Sequence, residues 1–550
     1  MPDILLIQPP IEDFYFTAKR SLPYGLAGIA GALRQAGFSV ALLDALATPK
    51  SRVLPWPDEM AHLHPFFGRS DRSPFALFHK WRHFGYSLEH IARQSKASGA
   101  FLIGISSLFS AYAETALATA AVVKAACPRA LVVLGGHHPS ALPGEVMRYP
   151  AVDYVLRGDG EVGLPPLARA LRDGSELHSV PGLVRRRPDG SLHQNPTAFA
   201  ADLNRLPMPA FDLLDWGFYR RADRSSAAIS AGRGCPQRCT YCAVNTAGGH
   251  AYRCRSVAGV LAELEEIDRI APLGFIDFED EHLSLDRSWF IDLLTAIQHR
   301  FAQRRIELRA MNGLFAPSLD EELIGRMQQA GFKTLNLALI TTSAAQLRRF
   351  QRPDLSQDVD RVLHLAGRRK MNAVVYLMVA GPGQDPYAGV ADLLFLAQRR
   401  VLAGVSVFYP APGSLDYEWC ARHGLLPSAF RLMRATALPL AHITDRIQTV
   451  TLLRLGRVLN FMKHLLDAGI GLPVPDRPPA VLPAKVERLA LGRILLAAFL
   501  HDGIIRGLDD EGRIYPHRID TGLTRAFLDG LAGVQLKGAS SAGSFLPPSR

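Results

Sequence analysis

Twice along these 550 residues, short runs of Ile, Leu and Val alternate with segments of helical periodicity, and this alternation restricts the possible folds more than any other feature. DILLIQ, FSVALLDA, AFLIGISS, ALVVLGG and VDYVLRG lack polar alternation, as parallel strands covered on both faces do. Between them LAGIAGALRQAG, closed by Gly37, and ETALATAAVVKAA read as helices. The expected fold class is α/β, opening with a doubly wound parallel sheet over residues 1–180 whose ligands sit at the carboxyl ends of the strands. Residues 51–85, rich in Pro, His and aromatics, break the rhythm and are expected to form an insertion packed on the sheet edge. Residues 181–222 read as a hairpin turning at Asp189-Gly190 and a proline-rich linker.

The second series predicts strands at 226–231, 274–279, 305–311, 332–339, 373–380 and 404–409. In SVAGVLAELEEIDRI, Val257, Val260, Leu261, Leu264 and Ile267 share one helical face opposite the acidic residues, behind Ser256 as N-cap. Six strand-helix units are too few for a closed eight-unit barrel, so a partial barrel is expected over 223–425. Helices follow in 426–536, and a disordered tail is expected over 537–550.

A charge of +11 favours anionic partners, but the arginines are dispersed, so nucleic acid is not an expected partner. No run of about 18 apolar residues occurs, nor a basic-then-apolar leader, and a cytoplasmic chain without a transmembrane segment is expected. Reduced thiols there make clustered cysteines a metal or catalytic site before a disulfide framework.

Three of the six cysteines, Cys235, Cys239 and Cys242, follow directly on the first strand of the second series, in GRGCPQRCTYCAV. At about 3.6 Å per residue or less they must converge from one loop, which Gly232 and Gly234 allow to turn sharply. Zinc would need a fourth ligand, from His250 or Cys254, and an ordinary iron-sulfur cube a fourth cysteine. Three suggest a cube with one iron left open.

The C-x3-C-x-aromatic-C run, with Tyr241 before the last cysteine, resembles the defining motif of the radical S-adenosylmethionine (SAM) superfamily. The resemblance implies a [4Fe-4S] cluster on Cys235, Cys239 and Cys242, SAM chelated at the open iron, and a partial (β/α)6 TIM-like barrel. YRCRSVAGVLAEL is similar to the family's R-x-R-S segment, and FIDFEDEHL to its second-strand end, with Glu279, Asp280 and Leu283 in place. Nucleotide contact and helix capping are both open for Glu279 and Asp280. Arg309 and Asn312 end the third strand and are expected to face the barrel mouth; Gly381, in VAGPGQ, is expected to admit an adenine closely. After the fourth strand the chain departs from the family's G-x-E-S-like segment, with Ala338, Ile340 and Thr341 at about those positions. Cys254 and Cys420 read as buried thiols.

LVVLGGHHPSALPGEVMRYPAVDYVLRGDGE is similar to the G-G-x-H-P-S and R-G-E-G-E segments of cobalamin-binding, Rossmann-like domains fused to such barrels. The resemblance implies cobalamin contacts at Gly135, Gly136, His138, Pro139, Gly158 and Glu161, with Ser140, Arg157 and Gly160 also matching and Asp159 replacing a glutamate. Ser106 and Ser107, at another strand end, are placed to bond the cofactor's nucleotide tail. No D-x-H-x-x-G occurs, which leaves the lower cobalt face unassigned; zinc binding or turn capping are the other readings of His137 and His138. Together the resemblances imply a cobalamin-dependent radical SAM enzyme, foremost a methyltransferase acting on an unactivated carbon of a small-molecule or natural-product substrate, with an anionic substrate compatible with the charge. They also imply an electron donor such as flavodoxin or ferredoxin. The alternatives are non-methylating radical chemistry, such as cyclisation or rearrangement, and a cluster-bearing binding or regulatory protein.

Overall fold

The computed structural model describes residues 1–244, 251–479, 482 and 486–540. His250 lies outside them.

Seven strands make the first sheet: β1 (Ile4–Gln8), β2 (Val40–Asp44), β3 (Leu102–Ser106), β4 (Leu131–Gly135), β5 (Tyr154–Leu156), β6 (Leu183–Arg186) and β7 (Leu192–Gln194). They run in the order β7-β6-β5-β4-β3-β1-β2, with β1 to β5 parallel to one another and β6 and β7 added by antiparallel pairing. The parallel order 2-1-3-4-5 is doubly wound and reverses direction between β1 and β3, where a ligand crevice opens at the carboxyl ends. The expected hairpin forms, and it extends this sheet through β5–β6 pairing.

The second unit has two parallel sheets. One contains β8 (Arg224–Ile229), β9 (Leu273–Phe278) and β10 (Glu307–Arg309); the other contains β11 (Thr334–Ile340), β12 (Asn372–Val379) and β13 (Leu402–Val407). Parallel bridges Leu308–Phe332 and Leu314–Leu337 join them into a six-strand arc. The Asn460 side chain covers the free edge of β13: it accepts from the Ala403 amide at 2.9 Å and donates to its carbonyl at 2.8 Å. Ser256 caps its helix as expected, but Glu263 on that helix is buried, because Arg255 and Tyr24 reach it.

The insertion does not lie along the sheet edge. Ser51–Val53 and Arg82–Phe84 form a small antiparallel sheet with Ile11–Asp13, while Met60, Leu63, Phe67, Phe75 and Trp81 sink into the core of the barrel unit. Apolar content decides this: five large side chains need more cover than an edge supplies. The C-terminal region anchors the segment. Arg454, from the 22-residue helix Arg446–Asp467, donates to the carbonyls of Phe66 and Phe75, both at 3.1 Å, and stands 3.9 Å from Asp71, which also meets His517. The C-terminal region also holds a hairpin, Arg506–Leu508 with Ile514–Pro516, and the helix Thr521–Ala532. Of the tail expected to be disordered, residues 537–540 are ordered, since Asp467 accepts from the amides of Ala539 and Ser540; the rest lies outside the described residues.

Replacing Arg454 by Met leaves two carbonyls and the Asp71 carboxylate buried without their cation, a loss of about 3 kcal/mol. Thermal unfolding should begin earlier and proteases should nick residues 51–85 first; an unchanged midpoint and cleavage pattern would refute the anchoring role.

Candidate cofactor-binding cleft

The cysteine loop leaves β8 at Ser230 and is fixed before it reaches the first thiol. Asp280, beyond β9, is fully buried and accepts from the amides of Ala231 at 3.0 Å and Gly232 at 2.5 Å. Glu281 accepts from the Gly234 amide at 3.0 Å, and Gly232-Arg233 pairs with Arg253-Cys254. Gly234 has φ +89°, and a side chain there would collide with the Ala251 carbonyl. At the far end, Thr240 donates to Asp416 at 2.8 Å, and Asp416 pairs with Arg349. These contacts make the loop a built element.

Cys239 is buried and Cys235 and Cys242 are partly exposed. Burial and then the neighbouring thiols push the Cys242 thiol up to about 11, and burial above all raises Cys235. Three anionic sulfurs cannot coexist there without positive charge. The Arg352 guanidinium supplies part, standing 3.6 Å from the Cys239 sulfur while donating to the Ala338 carbonyl at 2.6 Å. Among the described residues no three His, Cys, Asp or Glu side chains could hold a single metal ion. A cube places each thiolate on a different iron, so crowded but separated thiols fit it better than zinc.

The anticipated nucleotide contacts divide. Asp280 holds the loop, and neither it nor Glu279 caps the next helix, whose N-cap is Asp286. Glu279 faces the barrel mouth and pairs at 2.8 Å with Arg20 from the first unit; Arg20 also stands 3.1 Å from Asp277. Asn312 belongs to this group, donating to the Glu279 carbonyl at 2.9 Å and accepting from Arg20 at 3.3 Å. Arg309 does not face the mouth: it turns back to Glu307 and lies over Phe275, because the carboxylate two residues earlier is its nearest partner. At Gly381 the space a side chain would fill is taken by Phe350 and Gln346, so the glycine serves packing within the protein. Tyr241 packs edge-on against Phe350 at 5.0 Å. Cys420 is buried as expected, whereas Cys254 is partly exposed on its short strand.

In the first unit Ser106, Ser107, Gly135, Gly136 and His138 come together at the ends of β3 and β4. The register pairs Ser106 with Gly135, and Ser107 donates its amide to the Gly135 carbonyl. Gly136 has φ +119°, and a side chain would strike the Ser107 carbonyl. His138 is buried, bonded through Nδ1 to Ser110 at 2.9 Å and edge-on to Phe430; burial lowers it to about 4, so the ring is neutral. Its Nε2 and the Ser107 hydroxyl are buried without a partner, as groups awaiting a ligand would be. Beside them Leu108 and Phe109 stand exposed. This end fits a large planar cofactor. Pro139 and Ser140 are buried in the short helix His137–Ala141, where no side chain caps the turn.

Gly158 and Glu161 are used differently. A side chain at Gly158 would meet the Ala198 carbonyl, and Glu161 pairs at 2.6 Å with Arg233 of the cysteine loop. Asp159 takes Arg233 and Arg253, each at 3.2 Å. Sequence reasoning missed Arg20, Arg233, Glu281 and Arg352; only the adjacency of Arg233 to Cys235 pointed to any of them. The two halves face each other. His137 feels the charge of Glu281, which in turn acts on Cys235 and Cys242, and Tyr409 lies within electrostatic reach of Cys242 and Tyr15. His137 and Tyr409 are solvent-accessible yet hemmed in by protein, as residues lining a cleft are.

The family model for the B12 binding domain matches residues 78–168, and that for the radical SAM superfamily matches residues 229–392. The chain is a radical SAM enzyme with a B12-binding domain. Its cofactors are those of that family: a [4Fe-4S] cluster, SAM and cobalamin. An uncharacterized methyltransferase of Pyrococcus horikoshii is 24% identical over 338 residues, 61% of this chain and 72% of that protein. Cytidylyl-2-hydroxyethylphosphonate methyltransferase of Streptomyces wedmorensis is 22% identical over 474 residues, 79% of this chain and 84% of that protein. The radical SAM methyltransferase TsrM from Kitasatospora setae, solved with cobalamin and [4Fe-4S] cluster bound, shares the fold with a TM-score of 0.57 at 20% identity, over 77% of this chain and 75% of TsrM.

Two outcomes test this geometry. Burial raises Asp280 to about 7, so folding takes up a proton between the ordinary carboxylate range and pH 7, and this group's contribution to stability falls as pH rises through that window. Asp280→Asn, which cannot ionise, should flatten that part of the pH dependence of the unfolding midpoint. Arg352→Gln should retain iron but shift the cluster's reduction potential to more negative values in spectroelectrochemical titration, because a donor to a ligating sulfur is lost; an unchanged potential would remove Arg352 from the site.

Proposed function

We propose that this radical SAM enzyme is a cobalamin-dependent methyltransferase acting on an unactivated carbon of a small-molecule or natural-product substrate. The reading is carried by the opposition of the two carboxyl ends across one cleft, with His137 within electrostatic reach of Glu281 beside the cysteine loop. Relatives covering most of the chain and named as methyltransferases support it.

When bound, the cluster with SAM supplies a 5′-deoxyadenosyl radical and cobalamin supplies a transferable methyl group. Cys235, Cys239 and Cys242 would hold the cluster, with Arg352 offsetting thiolate charge at Cys239. Ser107 and His138 would bond the cobalamin, Nε2 of the neutral ring being free to donate or accept. Glu279 and Asn312, steadied by Arg20, would orient SAM at the barrel mouth. Tyr15, Phe109 and Tyr409 offer exposed aromatic surface for the substrate and for excluding water from the radical. An acidic electron donor such as flavodoxin or ferredoxin would meet the loop near exposed Arg238, in a reducing cytoplasm.

The reduced, reconstituted protein should form 5′-deoxyadenosine and move a labelled methyl group from SAM into product. Cys239→Ala should lose the cluster absorption and both products. 5′-Deoxyadenosine without label transfer would replace methylation by cyclisation or rearrangement; neither product from an intact cluster would point to a binding role.

A further inference from the structure

A cavity of about 500 Å³ lies outside the cofactor cleft. Its walls are the first turns of the helices Leu88–Ser98 and Ala113–Ala126, the insertion's small sheet and the segment carrying Arg431 and Arg434. Most charged groups in it are paired: Glu12 with His83, Glu114 with Arg431 and Arg434 with Asp13. Lys50, Arg52 and Arg93 have no carboxylate partner among the described residues, and Glu89 is the one lining carboxylate left to set against them. About two positive charges are therefore uncompensated in one concavity. Both helices direct their amino ends at it, adding partial positive charge. Apolar surface is present too: Tyr86 lies beneath the Lys50 ammonium at 5.3 Å and stacks on His90 at 4.4 Å, with Leu88 alongside.

We propose that this cavity is a binding site for a phosphate-bearing small molecule, its phosphates gripped by Arg52, Arg93 and Lys50 and its body laid against Tyr86 and Leu88. Guanidinium forks match phosphate oxygens in pairs, and the volume is that of a small-ligand pocket. Lys50, Arg52 and Arg93 are themselves exposed, and it is the cavity of about 500 Å³ between two helix turns and a sheet that favours a small ligand over an acidic protein face. The assignment stands independently of methyl transfer.

Equilibrium dialysis of the loaded holoenzyme against labelled inorganic pyrophosphate at low ionic strength tests it. One molecule should bind per chain, more weakly as salt rises, and should not be displaced by SAM. Arg52→Ser combined with Arg93→Ser, at exposed positions where folding is not at stake, should weaken binding at least about tenfold. Lys50→Gln should weaken it less, and Arg488→Ser, at a distant exposed arginine, should leave it unchanged. Equal affinity in the double variant, displacement by SAM, or a double variant that loses flavodoxin but not pyrophosphate would each overturn the assignment.

Discussion

Two arginines are exchanged between the halves of this enzyme, and the cleft depends on them. Arg233 leaves the cysteine loop to meet Asp159 and Glu161 of the first unit, while Arg20 leaves the first unit to meet Asp277 and Glu279 inside the barrel mouth. Each guanidinium binds two carboxylates from a planar fork, so it fixes orientation as well as distance. Such partly buried pairs add little net stability after desolvation; their value is geometric, because a rotated interface would strand several charges at once. Hydrogen bonds from Tyr219 to Asp44 at 2.6 Å and from Tyr24 to Glu263 at 3.0 Å reinforce the same joint. The carboxyl ends of two unrelated sheets are thereby held facing one space, as chemistry shared between cofactors requires.

The backbone was legible because its signal is local. Each of the six barrel strands begins within two residues of its expected start, since runs of Ile, Leu and Val flanked by helical spacing leave few other assignments. Cys235, Cys239 and Cys242 were legible for the same reason: one short loop brings them together whatever the rest of the chain does. What Glu161, Gly158 and Arg309 touch within the protein was not legible, because a motif names a residue without naming its partner. Glu161 could face a cofactor or Arg233, and only the domain packing decides between them. Arg20 and Glu279 lie 259 residues apart, and no period or spacing connects them.

The same limit explains the insertion. Its prolines and aromatics announced an interruption, but its destination depended on Arg454 and on the hairpin beyond residue 505, which bonds Asp71 through the Leu508 amide. Irregular backbone can be buried only if its polar groups find donors and acceptors. Buried arginines supply the donors here. Arg434, like Arg454, points into protein and donates to the carbonyls of Glu12, Ala111 and Arg431, with Trp81 and Tyr112 against its face. Long polar side chains thus do for these loops what ladders do for strands.

Around the cysteine loop this principle acquires a chemical purpose. Asp280, Glu281 and Asp416 hold its amides and hydroxyl, and Arg352 joins Cys239 to the end of β11. There the strand bulges and Ile340 adopts φ +77°, a conformation costing a β-branched residue about 1–3 kcal/mol. Asp392 secures the next turn by accepting from the amide and hydroxyl of Thr342. The strain falls where the sequence departs from the G-x-E-S-like segment, at Ala338, Ile340 and Thr341. Cys239 raises the proton affinity of Cys235, and both raise that of Cys242, so the three thiols are costly to ionise together. A loop restrained at both ends keeps them crowded regardless, and the positive charge of iron, when bound, would relieve that repulsion.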